Sequence, residues 1–145
     1  MILLSIHPLI QLTAISLALY AGWLGVQRGL NLHFGRITRQ FPRDRHVLIG
    51  SLSLLLMLGG AAGGLVMVAR YLQKPLLSSG LHGQVAMVAL PFIIFGLFSG
   101  FFLYLNPAKR TILPALHGLN NLLIILFALL QIFTGVRFYL TLASG

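Results

Sequence analysis

The sequence predicts an all-α membrane protein, an up-down-up-down bundle of four transmembrane helices. Of its 145 residues, 58% are hydrophobic and 8% are charged, and the mean hydropathy of +0.96 is too high for a soluble domain of this size. Four apolar stretches are each long enough to cross a hydrocarbon core of ~30 Å, which needs ~20 helical residues. Because short polar connectors separate them, we expect one transmembrane domain over residues 1–145.

The four stretches define four predicted helices: A over 5–28, B over 45–71, C over 82–105 and D over 113–141. Helix A has no basic start and no small-residue cleavage site, so we expect it to stay as a span rather than be removed as a signal peptide. Three prolines stand near helix starts, where the missing N–H costs little: Pro8, Pro42 and Pro114. Pro91 lies inside helix C and is expected to bend it.

Cationic side chains predict the orientation of the bundle. The A–B and C–D connectors and adjoining helix ends hold seven: Arg28, Arg36, Arg39, Arg43, Arg45, Lys109 and Arg110. The opposite side holds three: Arg70, Lys74 and Arg137. Because positive residues stay cytoplasmic, both termini should lie on the non-cytoplasmic face.

The formal charge of +9 does not indicate a nucleic-acid partner. The charges flank membrane spans, and the sequence has no basic recognition helix and no aromatic-basic module. We expect these side chains to contact anionic lipid headgroups.

Residue types that the sequence lacks exclude several kinds of cofactor and active site. The chain has no cysteine, which excludes disulfides, thiolate metal sites, iron–sulfur clusters and covalently attached haem. Asp44 is the only carboxylate side chain, so carboxylate pairs, carboxylate metal cages and acidic proton relays are excluded as well. Five histidines remain as the main candidates for chemistry.

Four of the histidines stand near the N-terminal ends of successive helices. His7 and His82 begin helices A and C on the outer side, and His46 and His117 begin helices B and D on the cytoplasmic side. In an up-down-up-down bundle A and C are diagonal to each other, as are B and D. The two histidines of each pair should therefore lie at one depth and face each other across the bundle.

A facing pair of neutral imidazoles, with no thiolate or carboxylate nearby, suits a haem iron inside a membrane. The pattern predicts two non-covalent b-type haems, with His7 and His82 as axial ligands of one and His46 and His117 of the other. A histidine whose polar tip reaches the lipid headgroups is the alternative for any single position. His33 lies in the predicted A–B connector and could replace His46 as a ligand.

Glycines recur at a fixed offset from these histidines. Eighteen residues after each stands a glycine: Gly25, Gly64, Gly100 and Gly135. Eighteen residues are five helical turns, so each glycine shares the face of its histidine ~27 Å further along the axis, near the depth of the other pair. A glycine there offers a porphyrin a surface without a side chain. Close helix packing is the alternative.

Other polar residues are candidates for supporting roles. Haem propionates need charge-assisted partners, and the candidates are Arg28, Arg45, Lys109 and Arg110 inside and Arg70 and Lys74 outside. Five amides lie within the spans: Gln11, Gln84, Asn120, Asn121 and Gln131. They could hold ligating imidazoles, line a quinone site or join helices by hydrogen bonds.

The chain resembles the cytochrome b561 family and its ferric-reductase-like relatives. The resemblance is carried by "IHPLI" with His7, "RHVLIG" with His46, "GLHG" with His82 and "ALHG" with His117. It implies a four-helix core with two haems, ligated by the first and third and by the second and fourth helices, that passes electrons across a membrane. The chain looks most similar to a four-helix branch from cyanobacteria and chloroplasts, which implies a bacterial plasma or thylakoid membrane.

The expected function is therefore electron transport by a di-haem, b561-like cytochrome. The electron donor and acceptor stay open, with a quinone and an ascorbate-like reductant as candidates. Two alternatives remain: a haem-free structural or assembly subunit of a larger membrane complex, and a true oxidoreductase that reduces a quinone or a ferric chelate. A homodimer is also compatible with the sequence.

The cation asymmetry makes a prediction about topology. A reporter that is active only outside the cytoplasm should work when it is fused after Gly145, because the C-terminal end of helix D is expected on that face. The same reporter inserted between Lys109 and Arg110 should be silent. A reporter that is silent after Gly145 and active between Lys109 and Arg110 would contradict the predicted orientation.

Overall fold

The structure is a computed structural model that describes residues 2–34, 41–73 and 79–143, with side chains for 5–30, 41–70, 72–73 and 79–141. It confirms the predicted all-α fold of four long helices. They are α1 (Ile2–Phe34), α2 (Arg43–Val66), α3 (Leu81–Leu105) and α4 (Ile112–Ala143). Each contains a segment long and apolar enough to cross a membrane, so the chain is a multi-pass integral membrane protein.

Helix α1 is longer than the predicted helix A at both ends. No proline interrupts the stretch from Gly29 to Phe34, so the helix continues beyond its most apolar part. His33 was predicted in the connector and instead lies in the last turn of α1; its side chain is outside the described residues. Pro8 lies inside α1 rather than at its start, because the helix begins at Ile2.

The starts of α2 and α3 follow from local chemistry. Pro42 is the N-cap of α2, where its carbonyl accepts the N–H of His46 at 3.0 Å, and Asp44 in the first turn places a negative charge at the positive end of the helix dipole. Gly80 caps α3 with a φ of 60°, a backbone conformation that favours glycine. At its far end, α2 widens into a short π-helix, Met67–Tyr71.

The four helices form two antiparallel hairpins. Helix α1 packs mainly on α2 and α3 mainly on α4, while the two hairpins contact each other less extensively. An apolar core fills the middle of the bundle and draws on every helix, with Ala14, Leu54, Ile93 and Ile124 among its members. Ala14 is fully buried, and because its side chain is a single methyl group, neighbouring side chains approach the backbone of α1 closely.

Buried polar side chains fasten each hairpin internally. The Ser53 hydroxyl donates to the carbonyl of Ala14 at 2.9 Å, joining α2 to α1. The Asn120 amide donates to the carbonyl of Phe92 at 3.0 Å, joining α4 to α3. Both side chains are buried, so water does not compete for these bonds.

Arg43 makes a polar connection between the hairpins. Its guanidinium donates to the carbonyls of Leu103 and Tyr104 at the C-terminal end of α3 and lies 4.9 Å from the Tyr104 ring centroid. A cation there satisfies helix-end carbonyls and complements the helix dipole. The start of α2 is thereby held against the end of α3.

The packing around Gly96 yields a stability prediction. A methyl group at Gly96 would lie 3.1 to 3.2 Å from side-chain atoms of Ile124, Asn120 and Leu54, and Asn120 is held in place by its hydrogen bond to Phe92. Gly96→Ala should therefore destabilise the bundle by ~1 to 3 kcal/mol through overpacking. Gly63→Ala is the control, because a methyl group there meets nothing within 4 Å. Thermal unfolding in detergent measures both, and equal melting temperatures would contradict the packing.

Candidate functional site

The structure brings four histidines together as two pairs. The ring centroids of His7 and His82 are 6.1 Å apart, with ring planes at 89°. Those of His46 and His117 are 6.4 Å apart, with planes at 76°. His7 and His82 come from α1 and α3, and His46 and His117 from α2 and α4, so each pair spans a diagonal of the bundle.

In the first hairpin, each histidine ring hydrogen-bonds a backbone carbonyl of the neighbouring helix. His7 Nδ1 donates to the carbonyl of Gly60 at 2.9 Å, and His46 Nδ1 donates to the carbonyl of Ala21 at 3.0 Å. Because a carbonyl can only accept, Nδ1 must carry the hydrogen in both rings. Their Nε2 atoms therefore keep a free lone pair, as a metal ligand requires.

In the second hairpin, the corresponding partners are side-chain hydroxyls. His82 Nδ1 lies 3.2 Å from Thr134 Oγ1, and His117 Nδ1 lies 2.8 Å from Ser99 Oγ. Neither hydroxyl was predicted from the sequence to take part in the site. Their positions in the sequence do point to the site, because Thr134 immediately precedes Gly135 and Ser99 immediately precedes Gly100, two of the four spaced glycines.

Each of the four spaced glycines lies against a histidine ring of its own hairpin. An added Cβ would lie 3.0 to 3.5 Å from the ring Cε1 atom in every case: Gly25 beside His46, Gly64 beside His7, Gly100 beside His117 and Gly135 beside His82. Each glycine thus lies at the depth of the histidine pair that its own helix does not supply. The atoms nearest to it belong to an imidazole, and any larger side chain would push on that ring.

The spacing within the pairs suits a single metal ion. Metal–imidazole bonds are ~2 Å and a ring nitrogen lies ~1.2 Å from its ring centroid, so an ion bound to both rings would place the centroids ~6.4 Å apart. The Nε2 atoms of His7, His46 and His82 have no protein hydrogen bond within the described part of the chain.

His117 has an additional neighbour. Asn121 Nδ2 lies 3.3 Å from Nδ1 and 3.2 Å from Nε2 of this ring, and it donates to the His117 carbonyl at 2.7 Å. An atom equidistant from both nitrogens lies against the ring rather than along either lone pair. The lone pair of His117 Nε2 is therefore still available.

Two protein ligands restrict the kind of metal site. Among the residues that the structure describes, no three histidine, cysteine, aspartate or glutamate side chains come together. An ion bound by one histidine pair would need its other ligands from a non-protein group. A porphyrin supplies four nitrogens and leaves two axial positions, which matches each pair of imidazoles.

Two surface grooves lie beside the pair of His7 and His82. One, of about 330 Å³, is lined by His7, Gly60 and Gly63 among other residues. The other, of about 360 Å³, is lined by His82, Thr134, Arg137 and neighbouring residues. His7 and His82 are therefore accessible to a group larger than a bare ion.

The cations differ in their surroundings. The Arg28 guanidinium lies 5.3 Å from the Phe41 ring centroid, and that ring lies 5.3 Å from the ring centroid of His46. Arg110 donates to the carbonyl of Asn106 at 2.8 Å and is engaged locally. Three of the other predicted cations are exposed: Arg45, Arg70 and Lys109. Lys74 lies outside the described residues, and Arg137, which was not among the cations expected to pair with haem propionates, lines the groove at His82.

The intramembrane amides mainly join helices. Gln11 donates to the carbonyl of Met57 at 3.2 Å, connecting α1 with α2. Gln131 donates to the carbonyl of His82 at 3.0 Å, so it fixes the backbone of a candidate ligand. Gln84 is exposed. Most of these amides therefore join helices, which is one of the three roles expected from the sequence.

Comparisons with protein-family models, with curated proteins and with solved structures find no match to this chain. The likeness to cytochrome b561 thus remains a resemblance carried by four short histidine motifs. Any functional assignment has to rest on the chemistry of the site itself.

The contact between Gly100 and His117 makes the site testable without a cofactor. Gly100→Leu should displace the His117 ring and break its bond to Ser99, because even a Cβ would lie 3.0 Å from Cε1. Histidine ring signals in the NMR spectrum of the full chain should then move for His117 and stay fixed for His7 and His82. Gly29→Leu is the control, since nothing lies within 4 Å of its Cβ position. A His117 signal that is unchanged in Gly100→Leu would contradict the contact.

Proposed function

We propose that this chain is a di-haem b-type cytochrome that relays electrons between the two faces of a membrane. His7 and His82 hold one haem, and His46 and His117 hold the other. The observation that carries the proposal is the pair of facing imidazole pairs, with centroids 6.1 and 6.4 Å apart and every Nδ1 hydrogen-bonded within its hairpin.

Haem iron would supply the reversible one-electron chemistry of the proposed relay. The protein holds and orients the axial nitrogens and fills the space between the two pairs with apolar side chains. With two histidines bound to it, each haem iron would have no open position for a substrate, which favours electron transfer over oxygen activation. The core around Ala14, Ile93 and Ile124 excludes water between the two sites.

Cations at both ends of the bundle support the proposal. The carboxylates of haem are anionic and need charged partners near the membrane interface. Arg28 lies on the Phe41 ring, which contacts the ring of His46, and Arg137 lines the groove that contains His82. Each pair therefore has at least one guanidinium within its surroundings.

The membrane and the redox partners belong to the proposal as well. We place the protein in a bacterial plasma or thylakoid membrane with both termini on the non-cytoplasmic face. A quinone and an ascorbate-like reductant remain the candidate electron carriers.

A structural subunit is the second candidate, and one observation favours it. Gly59 and Gly63 lie one turn apart on α2 and meet nothing within 4 Å, so this helix offers a flat surface to another transmembrane helix. A protein of this kind would bind no haem. The two functions are therefore separated by the reduced-minus-oxidised absorbance spectrum of the purified protein.

The haem content of the chain gives the first test. Purified protein should contain two low-spin, six-coordinate haems that acidified organic solvent extracts, because neither is covalently attached. Haem quantified per chain by this extraction measures the stoichiometry. A value of zero in protein that was supplied with haem would contradict the proposal.

The histidine pairs predict which substitutions affect the same haem. His7→Ala and His82→Ala should remove one haem, and His46→Ala and His117→Ala should remove the other. His33→Ala is the matched control and should retain both. Redox titrations that resolve the two haems measure the outcome, and loss of haem in His33→Ala with retention in His46→Ala would exchange their roles.

A further inference from the structure

The two hairpins hold their histidines through the same contact but with different acceptors. In both, the imidazole packs on a glycine of the neighbouring helix. In the first hairpin the Nδ1 partner is a carbonyl four residues before that glycine, Ala21 before Gly25 and Gly60 before Gly64. In the second hairpin the partner is a hydroxyl immediately before the glycine, supplied by Ser99 or Thr134.

The hydroxyl of Thr134 is placed to accept the Nδ1–H of His82. A hydroxyl has one hydrogen and two lone pairs. The Thr134 hydrogen has carbonyl oxygens within reach, at 3.2 Å on Leu130 and 3.2 Å on the Gln131 side chain. These oxygens can only accept, so the Thr134 lone pairs are left to receive the imidazole hydrogen.

The opposite tautomer of His82 would be costly. If Nε2 carried the hydrogen, that N–H would find no acceptor in the described part of the chain. His82 is half-buried in a groove of an apolar span, so a hydrogen on Nε2 would lack the partner that Thr134 offers to a hydrogen on Nδ1. Thr134 is 4% exposed, so water does not replace its hydroxyl as the partner of His82 Nδ1.

Ser99 takes the corresponding place at the other pair, where the His117 ring also has the Asn121 amide nitrogen 3.3 Å from Nδ1 and 3.2 Å from Nε2. Its hydroxyl donates to the Gly96 carbonyl at 3.3 Å and lies 2.8 Å from His117 Nδ1. Ser99 is 5% exposed. One hydroxyl therefore serves one ring in each of the two pairs.

We propose that Thr134 and Ser99 are positioning residues that hold His82 and His117 as Nδ1–H tautomers and thereby set how strongly each Nε2 donates electrons to a metal. The carbonyls that serve His7 and His46 belong to the backbone and cannot be altered by a side-chain change. The two hydroxyls are therefore the positions at which the sequence can tune each pair separately. The tautomer part stands without a cofactor, and the redox part rests on the proposed di-haem function.

The tautomer part is tested on the full chain prepared without haem. Nitrogen-15 NMR of the histidine rings reports which nitrogen carries the hydrogen. Wild-type protein should show His82 and His117 as single Nδ1–H tautomers. Thr134→Val should convert His82 into a tautomer mixture and leave His117 unchanged, and Ser99→Ala should do the reverse.

Two variants separate positioning from folding. Thr134→Ser keeps the hydroxyl and should restore the wild-type His82 tautomer. Thr13→Val removes an exposed threonine hydroxyl that bonds only its own helix, to the Leu9 carbonyl at 2.9 Å, and should change neither ring. If His82 keeps a pure Nδ1–H tautomer in Thr134→Val, or if Thr134→Ser shows the same mixture, the positioning role is wrong.

The redox part uses protein loaded with haem. Loss of the hydroxyl that accepts the imidazole hydrogen should weaken haem binding at the affected pair ~10-fold or more. It should also raise the midpoint potential of that haem alone, because a less basic imidazole stabilises the ferric state less. Equal shifts of both haems in Thr134→Val would overturn the separate tuning. Failure of wild-type protein to bind haem would overturn the proposed function, and the tautomer experiment would still decide the role of the two hydroxyls.

Discussion

The rest of this structure depends on how an apolar bundle accommodates four imidazole rings. Each ring has an N–H that must find an acceptor inside the membrane, where an unpaired donor costs ~1 to 3 kcal/mol. The acceptor is supplied by the neighbouring helix of the same hairpin, and the ring reaches it across a glycine that has no side chain to block the approach. The helix spacing, the position of the glycines and the chemical state of the rings therefore follow from a single requirement.

Polar contacts divide the bundle into its two hairpins. Hydrogen bonds join the helices within each hairpin, whereas the surface between the hairpins is mostly apolar. Within the described residues, the polar bonds of Ser53, Gln11, Asn120, Gln131 and the four histidines connect helices of the same hairpin. Arg43 is the exception, since it joins α2 to α3 at one end. Apolar side chains and the facing histidine rings form most of the surface between the hairpins. A flat cofactor that takes two axial nitrogens would enter between units that are already complete within themselves, which is why the fold and the proposed function are compatible.

The cationic side chains look equivalent in the sequence but have distinct roles in the structure. Counted along the chain, they are equivalent markers of orientation. In the structure Arg43 caps the end of α3, Arg110 folds back on Asn106, and Arg28 lies on the Phe41 ring beside His46. Arg137 lines the groove at His82, a place that its lone position near the end of helix D did not suggest. Charge near a site depends on the direction of a long flexible side chain, and that direction has no sequence pattern.

The sequence by itself determined the four helices, because runs of apolar residues of this length have one stable form in a membrane. It also determined that His7 would face His82 and that His46 would face His117, since alternating helix direction places successive N-terminal residues at alternate ends. The eighteen-residue offset placed the glycines at the correct depth, because the helical rise is constant. Only the tertiary structure decided that each glycine would contact an imidazole and that Ala21, Gly60, Ser99 and Thr134 would supply the acceptors. Every residue carries a backbone carbonyl, so which one meets a ring is set by the rotation and separation of two neighbouring helices, and these are fixed only when all four helices pack together.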